Sequence, residues 1–355
     1  MDTTGFLERL KIEVPIVQAP MAGTSTPAMA AAVSNAGALG SIGVGAMDAT
    51  GARAAIGALQ AATNRAFNVN VFCHAPPTPD PAREAAWLAG LAPTFAAFGA
   101  ETPASLEPAY ASFVDDDAML AALVELKPPV VSFHFGLPGA DRLAALRGAG
   151  CVLVSSATSL AEAQAAQAAG IVAVVAQGYE AGGHRGVFDA GATDDRLGTL
   201  ALTRLLVSGL DLPVIAAGGI MDGAGIAAVL ALGAAAAQLG TAFIACPESS
   251  ADAAYRAALA GPAAAHTVMT AAISGRPARC LSNRFTALAD SLGLEPPAYP
   301  IAYDAGKALS RAARAAGETG FGAQWAGQGA PLARALPAAT LVETLAKELR
   351  AARGF

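Results

Sequence analysis

The sequence predicts a (β/α)8 barrel, the TIM-barrel architecture, with an added helical cap segment. Short apolar runs alternate with alanine-rich helical stretches through most of the 355 residues, the pattern of repeated β-α units around a parallel sheet. A chain of this length fits one barrel of about 250 residues with an added element. Two successive apolar runs late in the chain also end in glycine, as do the strands that form the phosphate sites of many barrels.

The eight predicted strands are short apolar runs, and alanine-rich stretches between them predict helices. The strands are predicted at 16–19, 38–43, 66–72, 130–135, 151–155, 171–176, 214–217 and 236–239. The helices are predicted at 26–36, 49–63, 140–149, 160–169, 200–207 and 224–232. A strand such as 171–175 is apolar on both faces, so the sheet is expected to be buried beneath a ring of helices.

Two stretches interrupt this alternation. The first begins with the proline-rich residues 75–81 and is long enough for two helices beside the barrel mouth before the fourth strand. The second, residues 247–324, is predicted to be mostly helical and to form a cap over the ligand site. The polar side chains that support this cap are Arg276, Arg279, Asn283 and Arg284, and its arginines also offer pairing groups for a homodimer interface.

The predicted domains are therefore a barrel over residues 1–246, the cap segment over 247–324 and a C-terminal segment over 325–355 that returns to the barrel. A helix is predicted at 336–353 in the last segment. Pro337 falls in its first turn, a position that proline favours.

Composition raises the question of a membrane span, because hydrophobic residues make up 54% of the chain and charged residues 14%. The window between Asp222 and Glu248 has no charged side chain, but its apolarity comes from alanine, and glycines interrupt it. A buried helix and strand are predicted there, with no membrane partner. Residues 1–10 contain acidic side chains and no apolar core, unlike a signal peptide, so the protein is expected to be cytoplasmic.

Charge and cysteine usage predict a small-molecule ligand. The formal net charge is -6 and no run of lysine or arginine occurs, which argues against nucleic acid as a partner. The four cysteines are widely spaced and none forms a Cys-x-x-Cys pair, so neither a zinc site nor a disulfide framework is predicted. Each is interpreted as a small apolar side chain of the core: Cys73, Cys151, Cys246 and Cys280.

The most informative segment is residues 176–186, where polar side chains and glycines follow the apolar run 171–175. Ligands of parallel α/β folds bind at the edge where strands end. His184, one of only 4 histidines, lies in this segment among glycines that allow backbone amides to approach a ligand closely. The segment is therefore a candidate active-site loop.

A second candidate site combines phosphate donors with amide side chains. Residues 214–223 form a strand that ends in two glycines, and residues 234–241 repeat this plan, as in barrel phosphate sites. Across the barrel mouth, Asn70 in the third strand and Gln177 after the sixth offer amides to a polar ring system. The alternative is that Asn70 bonds neighbouring backbone. This combination suits a phosphorylated flavin.

These motifs resemble the FMN-dependent nitronate monooxygenases over most of the chain. The resemblance rests on residues 18–23, Asn70, 177–186, 216–223, 238–243 and 325–328. It implies that His184 is the catalytic histidine and that FMN is the cofactor. The residues implied to contact FMN are Ala22, Asn70, Gln177, Gly182, Gly219, Gln238, Gly240 and Thr241.

The resemblance implies that dioxygen oxidises an alkyl nitronate to a carbonyl compound and nitrite. A flavin supplies redox chemistry that ordinary side chains lack. A neutral nitroalkane also requires a base for its α-proton, and imidazole suits that step near neutral pH. The scaffold is also similar to FMN-dependent enoyl-thioester and NAD(P)H:quinone reductases, so a reductase stays an alternative. A flavin-binding module without catalysis is the third hypothesis.

Other polar residues of these motifs have two interpretations each. His134 shares one strand face with Ser132 and is either a rival base or a residue that orients substrate or packs. Glu180 either orients His184 or faces solvent, and Arg185 either attracts the nitronate or forms a surface ion pair. Two further histidines are expected at the mouth or surface and on the cap, respectively: His74 and His266.

Overall fold

Eight parallel strands form a barrel in the computed structural model, which describes residues 4–354. Residues 1–3 of the predicted barrel segment and residue 355 of the predicted C-terminal segment lie outside the described residues. In chain order the strands of the described residues are β1 (Ile16–Gln18), β2 (Gly40–Gly43), β3 (Phe67–Phe72), β4 (Val130–His134), β5 (Val152–Ala157), β6 (Ala173–Gln177), β7 (Gly183–His184), β8 (Val214–Ala217), β9 (Ala236–Leu239), β10 (Thr267–Thr270) and β11 (Ala278–Leu281). Three of these strands, β7, β10 and β11, lie outside the barrel.

The helices complete the β-α units and build the added segments. In chain order they are α1 (Thr4–Leu10), α2 (Pro27–Asn35), α3 (Ala49–Ala62), α4 (Pro81–Ala97), α5 (Asp117–Leu126), α6 (Ala140–Gly148), α7 (Leu160–Ala168), α8 (Thr199–Gly209), α9 (Gly223–Ala231), α10 (Thr241–Ile244), α11 (Ala253–Ala260), α12 (Arg284–Leu292), α13 (Ile301–Ala315) and α14 (Ala338–Ala352). Two short 3-10 turns lie at Pro262–Ala265 and Ala330–Leu332.

The barrel sheet has the order β1-β9-β8-β6-β5-β4-β3-β2. It closes between its two end strands, because the Gln18 amide donates to the Leu39 carbonyl at 2.9 Å and the Leu39 amide donates to the Ile16 carbonyl at 3.0 Å. All eight predicted strands are present in this sheet, and the predicted fold class is confirmed.

Alternation along the strands separates two parts of the core. Outward side chains such as Val69 and Val71 pack against the helices, whereas inward side chains fill the barrel. At the amino-terminal end, Phe6 and Leu10 of α1 join Val154 and other inward residues in one cluster. The carboxyl ends of the strands remain for a ligand site.

The insertion after β3 differs from its prediction. Helix α4 packs against α13 of the cap segment, whereas α5 packs between α3 and α6 in the ordinary ring of the barrel. Only one of the two helices that were expected beside the mouth therefore accompanies the cap.

The cap segment contains a second sheet in addition to its helices. Strands β10, β11 and β7 form an antiparallel sheet in which Ala278 pairs with His184 and Arg279 pairs with Gly183. The loop that follows β6 is thus joined to the cap by backbone pairing, which the expectation of a mostly helical segment did not include.

The C-terminal helix α14 packs against α9 and α2 and fills the ring between the last and first units. It begins directly after Pro337, which precedes the first turn instead of lying in it. The division into residues 1–246, 247–324 and 325–355 stays a prediction. Within residues 4–354, no helix has the length and apolar character needed to cross a membrane.

Candidate active site

A cavity of about 450 Å³ lies between the carboxyl ends of the barrel strands and the cap segment. Its volume is in the range of small-molecule sites. Tyr303 and Lys307 of the cap line it together with barrel residues. The structure brings together nine of the predicted site residues around this cavity: Ala22, Asn70, His134, Gly182, His184, Gly219, Gln238, Gly240 and Thr241.

The two glycine turns that follow β8 and β9 are adjacent, because these strands pair in parallel with Ala217 opposite Gln238. Gly219 has a φ of +69°, in the left-handed region that glycine favours. Within the described part of the chain, the backbone amides of Gly219, Gly240 and Thr241 make no hydrogen bond. Free amides beside a cavity suit a phosphate, so this cradle fits the phosphate end of a flavin nucleotide.

The loop after β6 packs directly on residues 325–328. A Cβ atom at Gly182 would lie 2.5 Å from the Gly327 nitrogen, so only glycine permits this approach. The Gly327 amide donates to Thr241 Oγ1 at 2.9 Å, and the Gln328 amide donates to the Glu180 carbonyl at 2.9 Å. Motifs that are far apart in the sequence thus form one wall of the cavity.

Two amide side chains line the same cavity, Asn70 from β3 and Gln238 from β9. Asn70 Nδ2 donates to Ser132 Oγ at 2.9 Å and to the Ser132 carbonyl at 3.1 Å, so the expected bond to neighbouring backbone is present. Asn70 Oδ1 and the amide of Gln238 form no hydrogen bond among residues 4–354. Both side chains therefore keep groups with which a flavin ring can pair.

Gln177 is the predicted flavin contact that does not line the cavity. Its Nε2 donates to the His184 carbonyl at 2.8 Å, and its Oε1 accepts the Gly186 amide at 2.7 Å. Both ends of the amide are used by the loop that contains His184, so Gln177 shapes this loop.

The His184 ring lies in an aromatic enclosure at the edge of the cavity. Its centroid is 4.9 Å from that of Trp325, 5.3 Å from that of Tyr299 and 5.7 Å from that of Phe135. Nε2 lies 2.9 Å from Ser274 Oγ, and Nδ1 has no hydrogen bond within the described residues. Burial, followed by nearby His134 and Arg276, lowers the pKa of His184 to about 3. The ring is therefore neutral at neutral pH.

His134 uses both ring nitrogens within the protein. Nε2 donates to the His184 carbonyl at 3.2 Å, because a carbonyl only accepts, and Nδ1 then accepts from Ser156 Oγ at 2.7 Å. Burial lowers the pKa of His134 to about 4. A neutral imidazole with both nitrogens engaged orients its neighbours and has no lone pair left for a substrate proton.

Glu180 and Arg185 have neither of the environments considered for them. Glu180 accepts hydrogen bonds from the Thr199 amide at 2.8 Å and from Thr199 Oγ1 at 2.9 Å. Its carboxylate therefore caps the start of α8 and does not orient His184, and it is not a free solvent-facing group. Arg185 is 2% exposed and forms two 2.8 Å bonds with Asp194. The expected surface ion pair is a buried one.

The two remaining histidines have different environments. His266 is exposed on the cap segment, as expected. His74 is 1% exposed and packs edge-on against Tyr299 with ring centroids 5.0 Å apart, so of the two places expected for it, the mouth or the surface, the surface is excluded. Burial, followed by the charge of Arg276, lowers the pKa of His74 to about 4.

The arginines that were considered for a homodimer interface are used within the chain. Arg276 and Arg279 are buried, and Arg284 pairs with Glu318. All four cysteines are free and buried, and residues 4–354 contain no cluster of three or more His, Cys, Asp or Glu side chains that is suited to a metal ion.

Several cavity residues were missed in the sequence analysis. Tyr303 and Lys307 are four residues apart on α13 and so share one helix face, but this spacing is common on exposed helices. Lys307 Nζ lies 4.8 Å from the Tyr303 ring centroid and 5.4 Å from that of Tyr110. The part of the chain that lines the cavity contains no other lysine or arginine and no acidic residue.

The sequence model of the nitronate monooxygenase family matches residues 4–348. A nitronate monooxygenase of Paraburkholderia phytofirmans is 63% identical over 353 residues, covering 98% of this chain and 96% of the relative. A nitronate monooxygenase of Pseudomonas aeruginosa is 56% identical over 349 residues, covering 98% and 99%.

Solved structures show the same relationship. The nitroalkane oxidase of Streptomyces ansochromogenes superposes with a TM-score of 0.89 at 44% identity, over 98% of this chain and 99% of that chain. FabK from Thermotoga maritima superposes with a TM-score of 0.75 at 31% identity, over 99% and 97%.

The family match spans nearly the whole chain, and both relatives exceed half identity over almost their full lengths. The free amides, the glycine cradle and the unpaired amide side chains fit the flavin on which this family depends. The chain therefore belongs to the nitronate monooxygenase family of flavin-dependent oxidoreductases.

Proposed function

We propose that this enzyme uses FMN to oxidise alkyl nitronates with dioxygen, and that the products are a carbonyl compound and nitrite. The balanced reaction converts two nitronates and one dioxygen into two carbonyl compounds and two nitrites. A neutral nitroalkane enters the same reaction after it loses its α-proton. The names of the two closely similar relatives support this substrate class.

The observation that carries the proposal is that one cavity contains both a phosphate cradle and His184. We assign the phosphate of FMN to the amides of Gly219, Gly240 and Thr241, because the paired turns suit a single phosphate. Bound FMN supplies the electron acceptor that the side chains lack. The remaining proposed contacts are Ala22, Asn70, Gly182 and Gln238, while Gln177 acts through the loop that it supports.

The environment of His184 favours nitronates over nitroalkanes. The neutral ring has a free Nδ1 that can accept an α-proton. Because burial lowers the pKa of His184 to about 3, the imidazole is always available but is a weak base. A substrate that arrives as a preformed nitronate needs no proton removal, so it should react faster than its neutral acid.

The positive charge at the cavity has the sign that a nitronate requires. Lys307 is the sole lysine or arginine among the described lining residues, and no carboxylate there competes for it. Burial, partly offset by Asp304, lowers the pKa of Lys307. We propose that Lys307 attracts the nitronate anion, with the neutral His134 supporting the site from behind His184.

The same proposal assigns residues 1–246 to the flavin-binding barrel, 247–324 to the cap that closes the cavity and 325–355 to the returning segment. A homodimer and a cytoplasmic location are further parts of the proposal. Light scattering of the purified protein and cell fractionation measure them directly.

Anaerobic mixing tests the proposed function against the reductase alternative, which the similarity to FabK keeps relevant. Purified yellow protein should lose its oxidised-flavin absorbance with ethyl nitronate and should recover it when dioxygen is admitted. NADPH should leave the spectrum unchanged over the same time. Bleaching by NADPH alone would assign the enzyme to the reductases.

Replacing Gly219 by leucine should weaken FMN binding at least 10-fold, because it strains a backbone with a φ of +69° and places a Cβ atom 3.4 Å from Glu180 Cβ, which displaces the turn that presents the Gly219 amide. Fluorescence titration of the flavin-free protein with FMN measures the dissociation constant. Heat release and mass analysis of the wild type should identify about one FMN per chain.

Gly99→Leu is the matched control for this substitution. Gly99 has a φ of +68°, and a Cβ atom there would meet no atom within 4 Å. The Gly99→Leu variant has the same backbone strain at a position that does not line the cavity, so the variant should bind FMN as tightly as the wild type. Equal weakening by both variants, or recovery of FAD, would contradict the cofactor assignment.

Replacing Lys307 by methionine should raise the KM for a nitronate about 10-fold, which corresponds to ~1.4 kcal/mol of lost attraction. The KM for the neutral nitroalkane should change little, because this substrate has no negative charge for Lys307 to attract. The effect should shrink at high salt as screening weakens the wild type. Lys347→Met removes an exposed lysine of α14 as the control, and an equal rise for both substrates would argue against charge recognition.

A further inference from the structure

Ser274 contacts the proposed catalytic histidine from the cap segment. It lies in the turn between β10 and β11 and is 0% exposed. Its Oγ is 2.9 Å from His184 Nε2 and 3.2 Å from the Arg276 carbonyl oxygen. A fully buried hydroxyl group with these two neighbours has few ways to satisfy both.

The hydrogen count selects one arrangement. A carbonyl only accepts, so the contact with Arg276 requires the single Ser274 hydrogen. Ser274 Oγ then accepts from His184, and the ring proton must be on Nε2. The opposite arrangement would place two oxygen lone pairs against each other at 3.2 Å. The ring nitrogen that remains unprotonated is Nδ1, which forms no hydrogen bond with any described residue.

The turn that contains Ser274 is held firmly against its surroundings. A Cβ atom at Gly275 would lie 2.4 Å from the Pro297 carbonyl oxygen, so the backbone packs directly on the segment before α13. The Arg185 amide donates to the Pro277 carbonyl at 2.8 Å, next to the pairing of β7 with β11. The cap thus fixes both the backbone and the ring contact of His184.

We propose that Ser274 is a positioning residue that holds His184 as its Nε2–H tautomer and leaves Nδ1 as the atom that accepts the substrate proton. This inference rests on the proposed function, since it concerns the base of the same reaction. When Nδ1 takes the proton, the bond from Nε2–H to Ser274 becomes charge-assisted and stronger. Ser274 therefore stabilises the protonated ring and makes His184 a better base.

The groups around the His184 ring set the background for a pH measurement. The titratable and charged side chains that face it are His134, His74 and Arg276, with Tyr299 and Tyr303 on the cap side. A substitution at Ser274 removes a contact with the backbone carbonyl of Arg276 but no contact with any of these side chains other than the His184 ring. A change in the pH profile of a Ser274 variant therefore reports on the histidine.

Ser274→Ala should lower kcat/KM for a neutral nitroalkane about 10- to 100-fold, the worth of one hydrogen bond to a charged group. The value for a preformed nitronate should stay within about 3-fold. Without its acceptor the imidazolium is less stable, so the pKa of His184 falls and the acidic limb of the nitroalkane profile moves to lower pH by up to about one unit. Ser274→Thr, which keeps the hydroxyl group, should restore the wild-type profile.

Ser155→Ala is the matched control, because Ser155 is a fully buried serine whose hydroxyl group donates only to the Ser156 carbonyl among the described residues. It should leave both activities and the pH profile unchanged. All variants must retain wild-type flavin content. Equal losses on both substrates with an unmoved profile would overturn the positioning role.

Nitrogen NMR of the flavin-loaded enzyme tests the tautomer without turnover. With 15N-labelled histidine, 4 rings contribute signals, and His184→Asn identifies the relevant pair. Nε2 should show the protonated shift in the wild type, and the ring should become a tautomer mixture in Ser274→Ala. Protonated Nδ1 in the wild type would overturn the inference. If the wild type oxidises neither substrate, the proposed function fails while this measurement still decides the tautomer.

Discussion

Replacing His184 by asparagine should lower kcat/KM for a neutral nitroalkane by about 100- to 10,000-fold, the range typical of losing a general base. Asparagine occupies similar space but has no lone pair of comparable basicity. Oxidation of the preformed nitronate should be largely spared, since its proton is already absent. Oxygen consumption with each form of the same compound, in variants of equal flavin content, measures the difference.

Two other histidine variants make this result specific. His266→Asn changes an exposed histidine and should leave both activities intact. His134→Asn removes one of the two side-chain donors to the His184 carbonyl and should impair both substrates moderately, because it shifts the loop and leaves the base in place. Equal losses on both substrates in His184→Asn would instead assign the ring to anion binding or flavin tuning. Retention of both would contradict the assignment of His184 as the base.

The barrel strands were predictable because each one is a short apolar run that is buried on both faces. Strands β8 and β9 have the bounds that their sequences predict. The glycine turns were predictable only as a pair, since a single glycine-rich turn is common, whereas two successive strands that both end in glycine match the phosphate sites of barrels. Strand identity therefore followed from local sequence, and strand ends located the cavity.

Local sequence contains no signal for the pairing that completes the site. Strand β7 is only two residues long, and its partner β11 is far along the chain. A periodicity cannot be read from two residues, so the sequence predicts a mostly helical cap. Ser274 was missed for the same reason, because a lone serine in a turn acquires its role only from the contact with His184.

The errors concern burial more than residue type. One of the two interpretations of His74, and one of the two of Arg185, placed the residue at the surface, where charged and polar side chains usually lie. The structure buries both, and the partners that compensate for their burial lie outside their local sequence, as Asp194 does for Arg185. Conversely, Lys307 was not singled out, because nothing in its local sequence distinguishes it from a lysine that is exposed on a helix. Whether a polar side chain is inside depends on tertiary partners that its own neighbours do not reveal.

Replacing Arg185 by methionine should lower the free energy of unfolding by about 3 kcal/mol, because removing one partner of a buried pair leaves the other charge uncompensated. Arg185 is 2% exposed and Asp194 23%, and Arg185 also donates to the Gln177 carbonyl at 2.6 Å. Urea unfolding of the flavin-free protein measures the loss. Arg53→Met breaks the exposed pair with Glu125 and should cost less than about 1 kcal/mol.

The pH dependence of this loss identifies its cause. Hydrogen bonding to Arg185 holds the pKa of Asp194 below its ordinary value of about 4. A carboxyl group with a depressed folded pKa contributes stability above its unfolded pKa, and that contribution disappears as the pH falls through the folded pKa. The gap between the wild type and Arg185→Met should therefore narrow below about pH 4. A gap that is constant from pH 7 to pH 3, or no larger than that of Arg53→Met, would show that packing, not the ion pair, holds the loop that contains His184.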